Sequence, residues 1–114
     1  MIDVEFFQGS NGRVPALAFI TEIDDVRLKA KVYRSLKLLQ EFGSCLREPY
    51  AKYLRNGIFE LRTSYGSKQI RTLYFYTDSG KAVITNAFMK KTRRTPDYEL
   101  ETAIRRKTEY EKRK

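Results

Sequence analysis

A chain of 114 residues with 41% hydrophobic residues is sized for one domain, residues 1–114, with a single core and little to spare. It has no histidine and one cysteine, Cys45, which excludes an internal disulfide, an ordinary zinc-finger ligand set and any Ser-His-Asp or Cys-His catalysis. The net charge of +9 is uneven: residues 1–45 hold 6 Lys/Arg against 6 Asp/Glu, residues 46–114 hold 17 against 8, and such asymmetry points to a polyanionic ligand, either nucleic acid or an acidic protein segment.

Residues 1–7 alternate Ile2, Val4, Phe6 against Asp3, Glu5, the pattern of a half-buried strand. The acidic pair stands where a signal peptide would carry basic residues, no apolar run is long enough to span a membrane, and a lone cysteine suits a reducing compartment, so a cytoplasmic setting is expected. After the turn residues 8–12, Pro15 suits the first turn of a helix, and Ala16, Phe19, Ile20 and Ile23 fall on one helical face. Asp24 or Asp25 caps a second helix over 26–42, whose Leu28, Val32, Leu36 and Leu39 line one side and which stops at Gly43. These two helices predict a hairpin lying on a sheet.

The sheet follows. Residues 50–54 read as a short extended segment, and Asn56-Gly57 as the turn that pairs it with the strand beginning at Ile58. Along that strand Phe59, Leu61 and Thr63 share one face and Glu60, Arg62 and Ser64 the other. The turn at Gly66 leads into a strand in which Arg71, Leu73 and Phe75 oppose Tyr74 and Tyr76, and the pattern does not decide which set meets the helices. The next strand, 82–88, is nearly continuous in apolar residues and is therefore expected to be central; it runs into Lys90-Lys91, which alternation sends to opposite sides. Thr95 is expected to cap a last helix with Pro96 at its first position; Leu100, Ala103 and Ile104 dock it, and from Arg105 onward it is expected to fray in solvent.

The carboxylates are scattered, no glycine-rich phosphate loop is present, and neither a metal nor a cofactor is expected. What remains is a set of cations, Lys52, Arg62, Arg71, Lys90, Lys91, Arg93 and Arg94, with the phenols Tyr74, Tyr76 and Tyr98. Such a set suits metal-free RNA cleavage. When the 2′-hydroxyl attacks the adjacent phosphate, negative charge grows, and fixed cations stabilise the transition state more than the ground state. A lysine crowded by other cations has its pKa lowered toward the range of a general base, and aromatic rings stack the bases of a single strand. The same residues equally make a binding surface without catalysis.

The succession 50–54, Phe59-Glu60-Leu61-Arg62, Ile70-Arg71-Thr72-Leu73-Tyr74, then Ala87-Phe88-Met89-Lys90-Lys91-Thr92 followed by Thr95-Pro96 resembles the phage-derived Gp49-like / HigB toxins of the RelE/ParE superfamily of type II toxin–antitoxin systems. The resemblance implies an α+β, RelE-like fold: an antiparallel sheet of four or five strands covered on one face by an N-terminal helical hairpin, plus a C-terminal helix. It implies a ribosome-dependent mRNA endoribonuclease silenced by a HigA-like helix-turn-helix antitoxin in a hetero-oligomer. Carried onto this chain, Arg62 and Arg71 bind the phosphate and stabilise the transition state, and Lys90 and Lys91 supply the proton acceptor or a second phosphate clamp. Tyr98 orients or deprotonates the 2′-hydroxyl. Glu60 departs from the basic residue some relatives have nearby and stands either as a general base or as the salt-bridge partner of Arg62. Lys52, Arg93, Arg94 and Tyr74 complete the expected RNA-binding surface. Two other readings share these features: a ParE-like gyrase poison, which has the fold without needing phosphate clamps on the sheet, and a non-catalytic nucleic-acid-binding regulatory module.

Overall fold

In the computed structural model, which describes residues 1–113, nine elements follow in the order β1 (Val4–Phe6), α1 (Pro15–Thr21), α2 (Val26–Phe42), a 3-10 turn (Gly43–Cys45), β2 (Ala51–Arg55), β3 (Ile58–Tyr65), β4 (Lys68–Tyr76), β5 (Ala82–Met89) and α3 (Asp97–Lys112). Each boundary has a local cause. Pro15 occupies the first turn of α1, where its missing N–H costs nothing. Of the two candidate caps, Asp25 closes α2: its Oδ1 accepts from the backbone N–H of Arg27 at 3.1 Å and of Leu28 at 3.2 Å. Asn56 and Gly57, at φ 54 and 81, turn the chain between β2 and β3 in the left-handed conformation that Asn-Gly tolerates best.

The sheet has five strands in the order β1-β5-β4-β3-β2. From β2 to β5 it is an antiparallel meander, while β1 runs parallel to β5, Val4 facing Ala82. The helical hairpin α1–α2 covers one face, burying Ile20, Leu28, Val32, Leu36 and Leu39 against Leu61, Ile70, Tyr74 and Ile84. The opposite face is also covered: α3 lays Leu100, Ala103 and Tyr110 on Leu73, Phe75, Val83 and Phe88. This arrangement settles the parity of β4, with Tyr74 toward the hairpin and Arg71, Leu73 and Phe75 toward α3.

Two expectations about the C-terminal region are corrected. α3 does not fray after Arg105; it continues to Lys112, Tyr110 stacking edge-on against Phe75 at 5.6 Å and Arg113 donating to the Gln8 carbonyl at 2.7 Å. Nor does Thr95 cap it. Pro96 holds the cap position without a side-chain hydrogen bond, and the Thr95 hydroxyl turns instead to Glu60. Among the described residues no helix is long and apolar enough to cross a membrane.

Candidate functional site

Where the free end of the sheet meets the segment leading into α3, a cleft of about 300 Å³ opens, lined by Lys52, Arg55, Glu60, Arg62, Lys90, Arg93, Arg94 and Asp97 among others. Six of these eight side chains are cationic. The strands explain the crowding: Arg62 on β3 lies directly opposite Arg71 on β4, a like-charge cross-strand pair that is unfavourable by itself. Glu60, two residues along the same face of β3, bridges them. Its Oε2 accepts from Arg62 Nε at 3.1 Å and lies 3.6 Å from Arg71 Nε, and its Oε1 receives the Thr95 hydroxyl. Glu60 and Arg71 are only 2% and 5% exposed, so this is a buried network rather than a solvated surface pair.

Arg71 is held from its far side as well, Nη2 donating to Gln69 Oε1 at 2.8 Å. Burial pulls its guanidinium below the ordinary pKa, with Glu60 acting to restore it and Arg62 to depress it further. It therefore acts as fixed charge behind the cleft, while Arg62, partly exposed and within 3.8 Å of Glu48 Oε1, reaches the cleft itself.

Lys90 reaches this cluster through a bulge in β5. Leu73 faces Asn86 but Tyr74 faces Ile84, so Thr85 is an extra residue without a partner on β4. Before it Val83 faces α3; after it Asn86 and Phe88 do, and the parity carries Lys90 onto the face of Arg71 and Glu60. The bulge is itself a fixed point: Asn86 Nδ2 donates to Glu99 Oε1 at 3.0 Å and Arg106 Nη1 to the Thr85 carbonyl at 2.9 Å, tying α3 to the strand. Lys90 Nζ forms no ion pair among the described residues. Burial, followed by Arg71, lowers its pKa below the ordinary lysine value; Glu60 opposes this, and Arg62 and Lys52 add to it.

That depression has a sign that experiment can check. Below its folded pKa, Lys90 carries a charge the site disfavours; between the lowered folded value and the ordinary 10.5 the unfolded chain binds the extra proton, so this residue makes stability rise with pH there. If Lys90 accepts a proton during turnover, single-turnover rates are expected to rise along a limb whose midpoint lies below 10.5. Lys90→Arg, which stays charged throughout, removes the limb; a limb that persists in that variant assigns the proton transfer to another group.

Not every expected residue arrives. Tyr74 is 1% exposed on the hairpin side, stacked on Phe59 at 5.5 Å; burial pushes its phenol far up, Tyr76 adding to it, and it offers no face to a base. Tyr98 is 70% exposed in the first turn of α3 and is not part of the cleft lining, nor is Lys91. Arg93, Arg94 and Lys52 do line it, Arg94 making an exposed pair with Asp97 at 3.3 Å that contributes little. Gln69 and Thr95, which orient the buried network, were missed: Gln69 shares the parity of Arg71 and was legible in principle, whereas Thr95 reads as a helix cap. Among the described residues no group of three or more His, Cys, Asp or Glu side chains could hold a metal ion.

A larger hollow of about 700 Å³ lies between the β1–α1 loop and α3, lined by Arg13, Arg105 and Arg106. Its Arg106 is committed to the Thr85 carbonyl, and among the described residues no strand residue lines it, Phe7 following β1, so it lacks the converging charge of the smaller cleft.

Compared with known proteins, residues 20–108 match the family model described as "Phage derived protein Gp49-like (DUF891)". No curated protein matches the chain.

Proposed function

Since this chain belongs to the phage-derived Gp49-like family, which is related to the toxins of toxin–antitoxin systems, we propose that it is a HigB-like toxin that cleaves mRNA on the ribosome and is neutralised by a HigA-like helix-turn-helix antitoxin. The single observation that carries the reading is the convergence of Arg62 on β3, Arg71 on β4 and Lys90 just past β5 around one cleft that Lys52, Arg93 and Arg94 extend.

In this reading the scissile phosphate sits against Arg62 and Lys90, with Arg71 adding positive potential from behind. The 2′-oxygen attacks phosphorus and its proton passes to Lys90, the candidate lysine whose pKa burial and Arg71 lower. The bond to the 5′-oxygen breaks and that oxygen takes a proton from solvent water, leaving a 2′,3′-cyclic phosphate and a 5′-hydroxyl. Charge on the pentavalent species exceeds that of the substrate, so preplaced cations lower the barrier without reorganising. Glu60 serves here as the anchor of both arginines rather than as the base, since both its oxygens are engaged. Tyr98 and Lys91 stand outside the chemistry.

One observation favours a second reading. Arg62 and Arg71 already share Glu60, so the network also satisfies a purely structural role in a non-catalytic RNA-binding module. Primer extension on a translated mRNA separates the two: cleavage within the translated frame, dependent on ribosomes, is expected. Salt-dependent RNA binding without cleavage supports the module, and DNA breaks on induced expression support a gyrase poison.

A further inference from the structure

A groove runs along the outer flank of α2, between it and residues 62–64 of β3 at one end and the connector 45–50 at the other. One end, about 300 Å³, is basic and includes Lys31, Arg34 and Arg62; the other, about 410 Å³, is apolar and includes Phe42 and Leu46. Leu38 and Tyr50 line both ends, so the groove is continuous. Phe42 and Tyr50 are each 52% exposed although large and apolar. At the basic end, Lys31 and Arg34 have no carboxylate partner among the described residues. Residues 31, 34, 38 and 42 lie on one flank of α2 and extend about 16 Å, three helical turns.

We propose that this groove docks an acidic amphipathic helix of a partner protein, carboxylates on Lys31, Arg34 and Arg62 and aliphatic side chains on Leu38, Phe42 and Tyr50. Charge selects the occupant. A second copy of this chain brings another +9 to a basic surface, and the aliphatic Leu38 and Leu46 beside Phe42 favour aliphatic side chains over the bases of an RNA. Docking also has a consequence for the cleft, a consequence that rests on the nuclease reading. Arg62 lines both the groove and the cationic cleft, and its Nη1 already leans toward Glu48 at 3.8 Å, a carboxylate whose side chain is 61% exposed and easily displaced. A partner carboxylate at that position withdraws Arg62 from the RNA phosphate. The partner then inhibits without entering the cleft.

Cys45 lines the apolar end and is the only cysteine, so its reaction with a chromogenic thiol reagent reports occupancy of the groove. The probe is a synthetic helical peptide of about 14 residues, glutamates at one end and leucines on one face at the other; its control replaces glutamate by lysine. The glutamate peptide is expected to slow Cys45 modification about tenfold at saturation, and Phe42→Ser or Arg34→Glu, both at exposed positions, to abolish the protection with an unchanged unfolding midpoint. Unaltered Cys45 reactivity overturns the proposal. So does protection that survives both substitutions, that a single-stranded RNA gives equally, or that appears on concentrating the protein alone. A non-cleavable 2′-deoxy oligonucleotide then tests the coupling: the peptide lowers its affinity in the unsubstituted protein but not in Arg62→Ala. Failure of the oligonucleotide to bind at all overturns the coupling, while Cys45 still decides the groove and primer extension on a translated mRNA decides the nuclease reading.

Discussion

Lys90→Ala is expected to slow ribosome-dependent RNA cleavage about 100- to 1000-fold at an unchanged unfolding midpoint, with Arg62→Ala close behind and lowering the midpoint slightly, since Glu60 keeps Arg71 and Thr95. Lys90 Nζ has no ion-pair partner among the described residues to lose, and the site holds its ammonium at a cost, so removing it relieves repulsion from Arg71 and Arg62. Arg62 is partly exposed, and one of its two carboxylate contacts is the long one to Glu48. Lys90 thus contributes field rather than structure, and Arg62 contributes field beside one bond to Glu60. Single-turnover rates on a defined mRNA, set beside thermal unfolding, make the check. Variants that fold and cleave at the unsubstituted rate would exclude the cleft as the catalytic site.

Glu60→Leu gives the largest expected effect on stability, a loss of about 3–5 kcal/mol. The substitution leaves Arg71, 5% exposed, with no carboxylate within reach among the described residues and facing Arg62 across the strand pair. Replacing both partners, Glu60→Leu with Arg71→Met, is expected to recover most of that loss, because an apolar pair of similar shape leaves no uncompensated charge. Urea unfolding of the two single variants and the double one isolates the coupling. Strict additivity would mean that the carboxylate does not hold Arg71, and that the two arginines are placed by the backbone alone.

Much of the architecture could be read from residue order. The helix limits at Pro15 and Gly43 and the hairpin turn at Asn56-Gly57 are local stereochemistry, which needs no knowledge of the rest of the chain. The pairing of Glu60 with Arg62 follows from period-two alternation on a strand with one polar face. Tyr74 was not readable in this way. β4 is buried on both sides, by the hairpin and by α3, so its side chains show no amphipathic contrast from which a face could be inferred. The last turns of α3 defeated composition for a related reason. Lys, Arg and Glu dominate there, yet Tyr110 packs on Phe75, Arg106 bonds the Thr85 carbonyl and the Arg113 guanidinium lies 5.1 Å from the Phe7 ring, which docks them.

Residue order by itself determined which cations the second half of the chain carries, and that neighbouring lysines at the end of β5 must point to opposite faces. Only the tertiary structure decided that Lys90, and not Lys91, joins Arg71. The choice rests on Thr85: one unpaired residue inverts every side chain beyond it. That inversion is stable because Asn86 and Arg106 fasten the bulge to α3, an element separated in sequence from the strand and brought beside it only by the fold.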